Sequence, residues 1–301
     1  MAGLISPPVL DDLAATECFT PSVLESYLRC PFAWFIHRVI GAEDMETVAD
    51  DRVLGELLHA VMRDTFRQLK DEGLLPLGAE HSAHAEATAQ AIIERLVERE
   101  ECPGTRAERR LMGWRLKRMA GDLLAMETET AGMLVTTDTE LSVGGEGGVD
   151  LGGLAVRGRI DRVDSTSRGE LFIVDYKSGS VPKKNQLGTA EGLQLLLYML
   201  ALAAERPNET VVGGAYVSAK DKGRSGVVTA GCEDLLGTGG HGCHIAGEEA
   251  FQEMLQAALS LALKAAEGMR RGTIAPLPDR DCPSWCDLRP VCRAFKGARK
   301  W

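Results

Sequence analysis

The chain predicts an α/β fold, with helices first, then a run of strands, then helix and strand in alternation. Three observations carry this. Residues 52–70 and 80–132 repeat apolar positions at helical spacing. After Leu134 the pattern changes to period two, with glycine-rich turns between TTDTELSV, GLAVRGRIDRVD and ELFIVDYKSG. EGLQLLLYMLALAAER is then apolar nearly all round, which marks a buried helix.

The elements follow in order. Thr20-Pro21 opens a helix, since threonine caps well and proline suits the first helical position. Pro31 marks a break or a new start. RVLGELLHAVMRDTFRQLK is an amphipathic helix, and 80–132 reads as two helices split near Cys102-Pro103-Gly104. The three period-two runs are strands of a meander. VVGGAYVSA is a further strand, 231–246 a glycine-rich loop, and the run from Gly247 a long helix ended by Gly272. We read 1–301 as one unit, with a helical part and an insertion over 19–135, a core over 136–230, and a C-terminal helix and tail over 231–301.

The composition, 45% hydrophobic and 26% charged, is that of an ordinary globular protein. No apolar run approaches the roughly 18–20 residues of a membrane span, and no signal peptide is visible. The expected compartment is the cytoplasm. The net charge of −10 argues against a large phosphate-coating surface, although Arg106, Arg109, Arg110, Arg115, Lys117 and Arg118 cluster, and the tail from Arg280 is basic. Either is a solvated face or a local binding surface. No Walker A motif occurs, so the chain is not itself a motor.

The chemistry concentrates on two strands. Residues two apart share a strand face, which sets Asp175 beside Lys177 with Ile173 beneath. Asp161 lies near the end of RGRIDRVD and converges on Asp175 if the two strands are neighbours. Two carboxylates and a main-chain carbonyl suit Mg²⁺ or Mn²⁺, and a nearby lysine can orient a water or neutralise charge developing on a phosphodiester. The short D-x-K pattern alone reads first as an exposed strand-end pair before the turn Ser178-Gly179. Glu140, on the preceding strand, is either a further acid at the site or an exposed strand residue.

Taken as an ordered set, G-R-I-D-R (158–162), D-Y-K (175–177) and Q-L-L-L-Y (194–198) resemble the RecB/AddB-type branch of the PD-(D/E)XK nucleases. Gln194 and Tyr198, four apart, share a helix face. Gly55-Glu56-Leu57-Leu58-His59 resembles the G-x-x-x-H motif of the same branch, with Gly55 allowing close approach of another element. The resemblance implies a restriction-endonuclease-like core, a central mixed sheet flanked by helices. It implies His59, Asp161 and Asp175 as ligands for Mg²⁺ or Mn²⁺, and Asp161, Asp175, Lys177, Gln194 and Tyr198 as the catalytic set.

Eight cysteines occur, and clustered cysteines in a reducing compartment suggest metal. Cys30 in a C-P-F segment, with Cys282, Cys286 and Cys292 at the far end, resembles the one-plus-three arrangement that holds a [4Fe-4S] cluster in AddB-type nucleases, exonuclease V and the CRISPR adaptation nucleases. The gap Cys282-x3-Cys286 is one residue longer than usual there, and Cys₄ zinc is the competing assignment. Cys232, His241, Cys243 and His244 match no zinc spacing and are expected to lie in a plain loop. Cys18 and Cys102 carry no signal.

The expected function is a DNA nuclease acting on single-stranded ends or flaps in recombination or repair, alone or as part of a larger AddB-like polypeptide with a helicase. The alternative is a catalytically inactive nuclease fold serving as a DNA-binding or scaffold subunit.

Overall fold

The computed structural model describes residues 6–41, 51–99, 102–130, 133–237, 242–276, 282 and 286–292. The N-terminal helices start where capping chemistry allows. α1 (Pro7–Ala14) and α2 (Pro21–Arg29) each have proline in the first turn, and Thr20 Oγ1 accepts from Val23 N to cap α2. Pro31 proves to be a new start: α3 (Pro31–Trp34) follows it, runs on into a π-helical turn over Phe35–Val39, and has Cys30 as its cap. α4 (Asp51–Asp71) matches the predicted amphipathic helix, and α5 (Ser82–Glu98) and α6 (Arg106–Thr128) match the two helices expected over 80–132. A reciprocal Thr105–Glu108 capping box starts α6.

The main sheet runs β2-β5-β6-β7-β8-β9, comprising β2 (Leu134–Val143), β5 (Gly158–Thr166), β6 (Leu171–Lys177), β7 (Val211–Ser218), β8 (Gly223–Thr229) and β9 (His244–Ala246). β2, β5 and β6 form the predicted antiparallel meander. β6 and β7 pair in parallel across α7 (Leu193–Glu205). α8 (Glu248–Arg270) follows β9. β1 (Cys18–Phe19), β3 (Val149–Asp150) and β4 (Ala155–Val156) make a separate small sheet. This is a mixed sheet flanked by helices, the expected restriction-endonuclease-like arrangement. Among the described residues, no helix is long and apolar enough to cross a membrane.

β6 shows why both faces must be covered. Leu171 and Ile173 join the apolar cluster that includes α7 and α8, whereas Phe172, Val174 and Tyr176 join the one built by α4, α5 and α6. Asp175 and Lys177 continue the α7 side by alternation.

Two local expectations change, and one strand is added. GLAVRGRIDRVD is two strands, because Arg157 N donates to Phe19 O at 3.0 Å and diverts the chain between sheets. The 231–246 segment includes an ordered edge, His244–Ala246, paired in parallel with β8. β8 itself escapes a periodicity reading. Its Gly226 is required by close packing, since a Cβ there would stand 2.0 Å from Gly214 O.

A buried ionic network ties the layers together. Arg162, 2% exposed, donates to Glu127 of α6 at 2.6 Å and to Asp164 at 2.9 Å. It also donates to the Tyr176 hydroxyl and lies 4.2 Å over the Phe66 ring of α4. Burial pushes the Asp164 carboxyl up, and Arg162 opposes that shift. Replacing Arg162 by Met is expected to strand two buried carboxylates and to cost about 3–5 kcal/mol of stability, read from urea melts. A loss below about 1 kcal/mol would mean that the network is dispensable.

Candidate active site

β5 and β6 pair as far as Arg162–Val174 and no further. Beyond that point Tyr176 N donates to Asp161 Oδ2 at 2.8 Å, so a side chain takes over from the ladder. The other carboxylate oxygen of Asp161 meets His59 Nδ1 at 2.9 Å. Asp161 and Asp175 therefore sit side by side where the strands part, as the neighbouring-strand expectation requires.

His59 reaches this point because Gly55, one turn earlier on α4, lets the helix lie against the β6 turn. A Cβ at Gly55 would stand 3.2 Å from Ser178 Oγ. Glu140 comes from the other side. It lies between the β2–β5 pairs Thr139–Arg162 and Leu141–Ile160, and its φ of 54° is the left-handed region that a non-glycine residue adopts at a cost. A Glu140 oxygen, His59 and Asp161 lie within 4.8 Å of one another, so Glu140 faces the same cleft as the other two. Arg159 also donates to Glu140, at 3.0 Å.

Asp175 is 2% exposed. Burial pushes its carboxyl up, the Lys177 ammonium opposes this, and the charge of Asp161 adds to it. Lys177 Nζ stands 2.6 Å from Asp175 Oδ2 as an ion pair outside hydrogen-bond alignment, and 5.0 Å over the Tyr216 ring. For Lys177 itself, burial favours the neutral form, but Asp175 outweighs it and the ammonium is held above its ordinary value. Gln194 spans the pair, donating from Nε2 to Asp175 Oδ1 at 3.0 Å and accepting from Lys177 at 3.3 Å. A glutamine offers both polarities at once, which neither Glu nor Leu does.

Tyr198, one turn along α7, is buried. It reaches the site through Gln194 and packs on Gly158, where a Cβ would stand 2.7 Å from its ring. Burial raises its phenol above the ordinary range, and the nearby Asp175 charge adds to this. Sequence reading missed Glu25, a buried α2 carboxylate that accepts from Gln194 N at 2.8 Å and is raised by burial. The signal was there, a glutamate on the helix face shared with apolar neighbours. Tyr216, which accepts from Leu195 N at 2.9 Å, was also missed. His59, Glu140 and Asp161 open into a cleft of about 790 Å³ whose wall includes Arg52, Arg63, Arg157 and Arg159.

The cysteines separate into two kinds. Burial raises the Cys282 thiol, and the neighbouring charges of Cys286, Cys292 and Cys30 raise it further, so the four predicted thiols lie within electrostatic reach of one another. Cys30 Sγ accepts from Ala33 N at 3.5 Å, and His37 pairs with Asp287 at 3.4 Å beside it. Cys232 and Cys243 instead pack in the apolar cluster under α4–α6, and burial pushes the Cys243 thiol up to about 11. His244 is spent on Lys184 O at 2.7 Å, and His241 lies outside the described residues.

His59 is raised overall. Burial alone would lower it, but the hydrogen bond and charge of Asp161, with Asp175 behind, prevail. A raised histidine contributes stability that is full below the unfolded value of about 6.5 and is lost as pH climbs through the folded value. NMR titration of His59 in metal-free protein should place it above the ordinary value. In Asp161→Asn it should fall, because burial remains and the main opposing charge is gone. An unmoved titration contradicts this coupling.

A family model of the PD-(D/E)XK nuclease superfamily matches residues 18–293. Among curated proteins, the chain is 28% identical over 214 residues to the B subunit of an ATP-dependent helicase/deoxyribonuclease from Acetivibrio thermocellus, covering 64% of this chain and 19% of that protein. It is 24% identical over 238 residues to the protein of the same name from Lactococcus lactis subsp. lactis, covering 72% and 20%. The chain thus spans about a fifth of the length of these relatives. With the model matching nearly the whole chain, and the strand-end carboxylates and lysine gathered at one place, the chain belongs to the PD-(D/E)XK nuclease superfamily.

Proposed function

We propose that the chain is a divalent-metal-dependent deoxyribonuclease acting on single-stranded ends or flaps of DNA in recombination or repair. The observation that carries this is the convergence of His59, Asp161, Asp175, Lys177 and Gln194 at the point where β5 and β6 separate. One imidazole and two carboxylates, with Glu140 beside them, are a donor set suited to Mg²⁺ or Mn²⁺. A bound ion there supplies positive charge to a phosphodiester and acidifies water.

The chain's own groups account for the rest. Lys177, held protonated, brings a fixed positive charge to where phosphoryl charge would grow. Gln194 keeps it at that position and orients Asp175. Tyr198 packs behind Gln194 as a positioning residue. The arginines of the cleft offer phosphate contacts that orient a strand without reading its sequence. The inactive-scaffold alternative has no support in the site, where no charged member of the set is missing. The relatives' names suggest action beside a DNA-unwinding partner, and the small share of their length that the chain covers fits a part of a longer polypeptide. A DNA substrate fits the cytoplasm expected above.

We also assign Cys30, Cys282, Cys286 and Cys292 to a [4Fe-4S] cluster. The four thiols lie within electrostatic reach of one another, and four thiolates are sound ligands for an iron–sulfur cube, with Cys₄ zinc as the competing assignment.

Two experiments test these readings. Asp161→Asn keeps an oxygen for Tyr176 N, and Lys177→Ala removes only the cation. Each should stay folded and lose Mg²⁺-dependent degradation of labelled DNA by about 10²–10³-fold or more. Near-native rates in either would remove the site assignment. Anaerobically purified protein should be brown and carry iron and sulfide. Cys292→Ala should lower the melting temperature and expose the tail to protease, because cluster binding contributes to folding directly. Colourless protein with stoichiometric zinc would replace the cluster by Cys₄ zinc.

A further inference from the structure

A second cavity, of about 430 Å³, adjoins the active-site cleft, and Asp51 and Ser178 line both. Ser178 directly follows Lys177, so the two spaces meet at the end of β6. The second cavity leads away between the β7–β8 turn and α6. Its charged lining is Arg115, Arg118, Lys220 and Lys222 against Asp51 and Asp122, four cations less two carboxylates, or two positive charges in excess. Both carboxylates are already paired, Asp51 with Arg115 at 2.7 Å and Asp122 with Lys222 at 2.7 Å. In a chain of net charge −10 this local excess runs against the whole.

Beside it, α6 presents an aromatic. Trp114 is 60% exposed and Leu111 56%. Residues 111, 114, 115 and 118 are spaced to share one helix face. The Arg118 guanidinium lies 5.5 Å from the Trp114 ring centroid, so cation and ring act as a unit. A large exposed indole next to a cationic channel is unusual for a surface with no partner. The pairing fits a polymer that offers phosphates and uncovered base faces in alternation. Single-stranded DNA does so, whereas a duplex hides its base faces in the stack.

Resting on the DNA-nuclease reading above, we propose that the face of α6 carrying Trp114 and Arg118, with Lys220 of the β7–β8 turn, is a single-stranded DNA platform. It holds the strand by stacking and charge as it passes the end of β6. Trp114, Arg118 and Lys220 belong neither to the His59–Glu140–Asp161 group nor to the lining of its cleft, so they act on binding and not on the reacting atoms.

The test is fluorescence anisotropy in EDTA with a labelled single strand of about 20 nucleotides and with the matching duplex. Trp114→Ala should weaken single-strand binding about tenfold, with duplex binding unchanged, and Trp114→Phe should restore most of it. The Arg118→Ala/Lys220→Ala double variant should also flatten the salt dependence. With Mg²⁺, Trp114→Ala should raise KM for a single strand and leave kcat alone. Unchanged single-strand affinity, equal losses on strand and duplex, or no rescue by Phe would each overturn the proposal. Because the binding assay needs no cleavage, it tests the platform even if the chain proves inactive as a nuclease. Conversely, an active nuclease with normal binding in Trp114→Ala removes the platform alone.

Discussion

The parting of β5 and β6 after Arg162 and Val174 is the constraint from which the rest of the site follows. A buried amide left unpaired there would cost about 1–3 kcal/mol. Asp161 removes that cost by accepting from Tyr176 N, and in doing so points its second oxygen at His59. One carboxylate thus closes the sheet and opens the site. This also explains the neighbouring glycines. Gly158 leaves room for the Tyr198 ring, and Gly55 lets α4 come close enough for His59 to reach the strand end.

The alternation of β6 divides two kinds of buried polar chemistry between its faces. Tyr176 points into the α4–α6 side, where Arg162 binds Glu127, Asp164 and the Tyr176 hydroxyl, with Arg162 Nε and Asp164 Oδ1 left without a hydrogen-bond partner among the described residues. Asp175 and Lys177 point to the α7 side. There Asp175 Oδ2 likewise has an ion-pair partner and no aligned hydrogen bond, and Gln194 serves both groups at once. The first network is buried throughout, whereas Lys177 of the second is only partly covered. The second holds a buried carboxylate whose charge depends on a cation beside it.

Much of this was legible in the chain. Period-two patterning with a charged end marked β6 and its neighbours, and the i, i+4 pair Gln194–Tyr198 marked the inward face of α7. The helices of 51–71 and 82–128 were readable because their apolar spacing and caps agree. What was not legible depends on contacts distant in sequence. Glu140 could be either exposed or at the site, and the fold faces it into the cleft of His59 and Asp161. Glu25 matters because α2 packs against the start of α7, about 170 residues on. β8 and β9 have weak local patterns and exist because β7 offers an edge to β8, and β8 in turn offers one to β9. The arginines of α6 had even readings as surface or site, and only the fold sets them beside the end of β6.

If the site is as proposed, this strand end, and not the separate cysteine group, is where a divalent ion would be held. Anomalous scattering from crystals soaked in Mn²⁺ tests that directly. A peak bonded to His59, Asp161 and Asp175 is expected, with Lys177 displaced from its present contact with Asp175. Protein that degrades DNA with Mn²⁺ in solution, yet shows no Mn²⁺ among these three residues in the crystal, would contradict it.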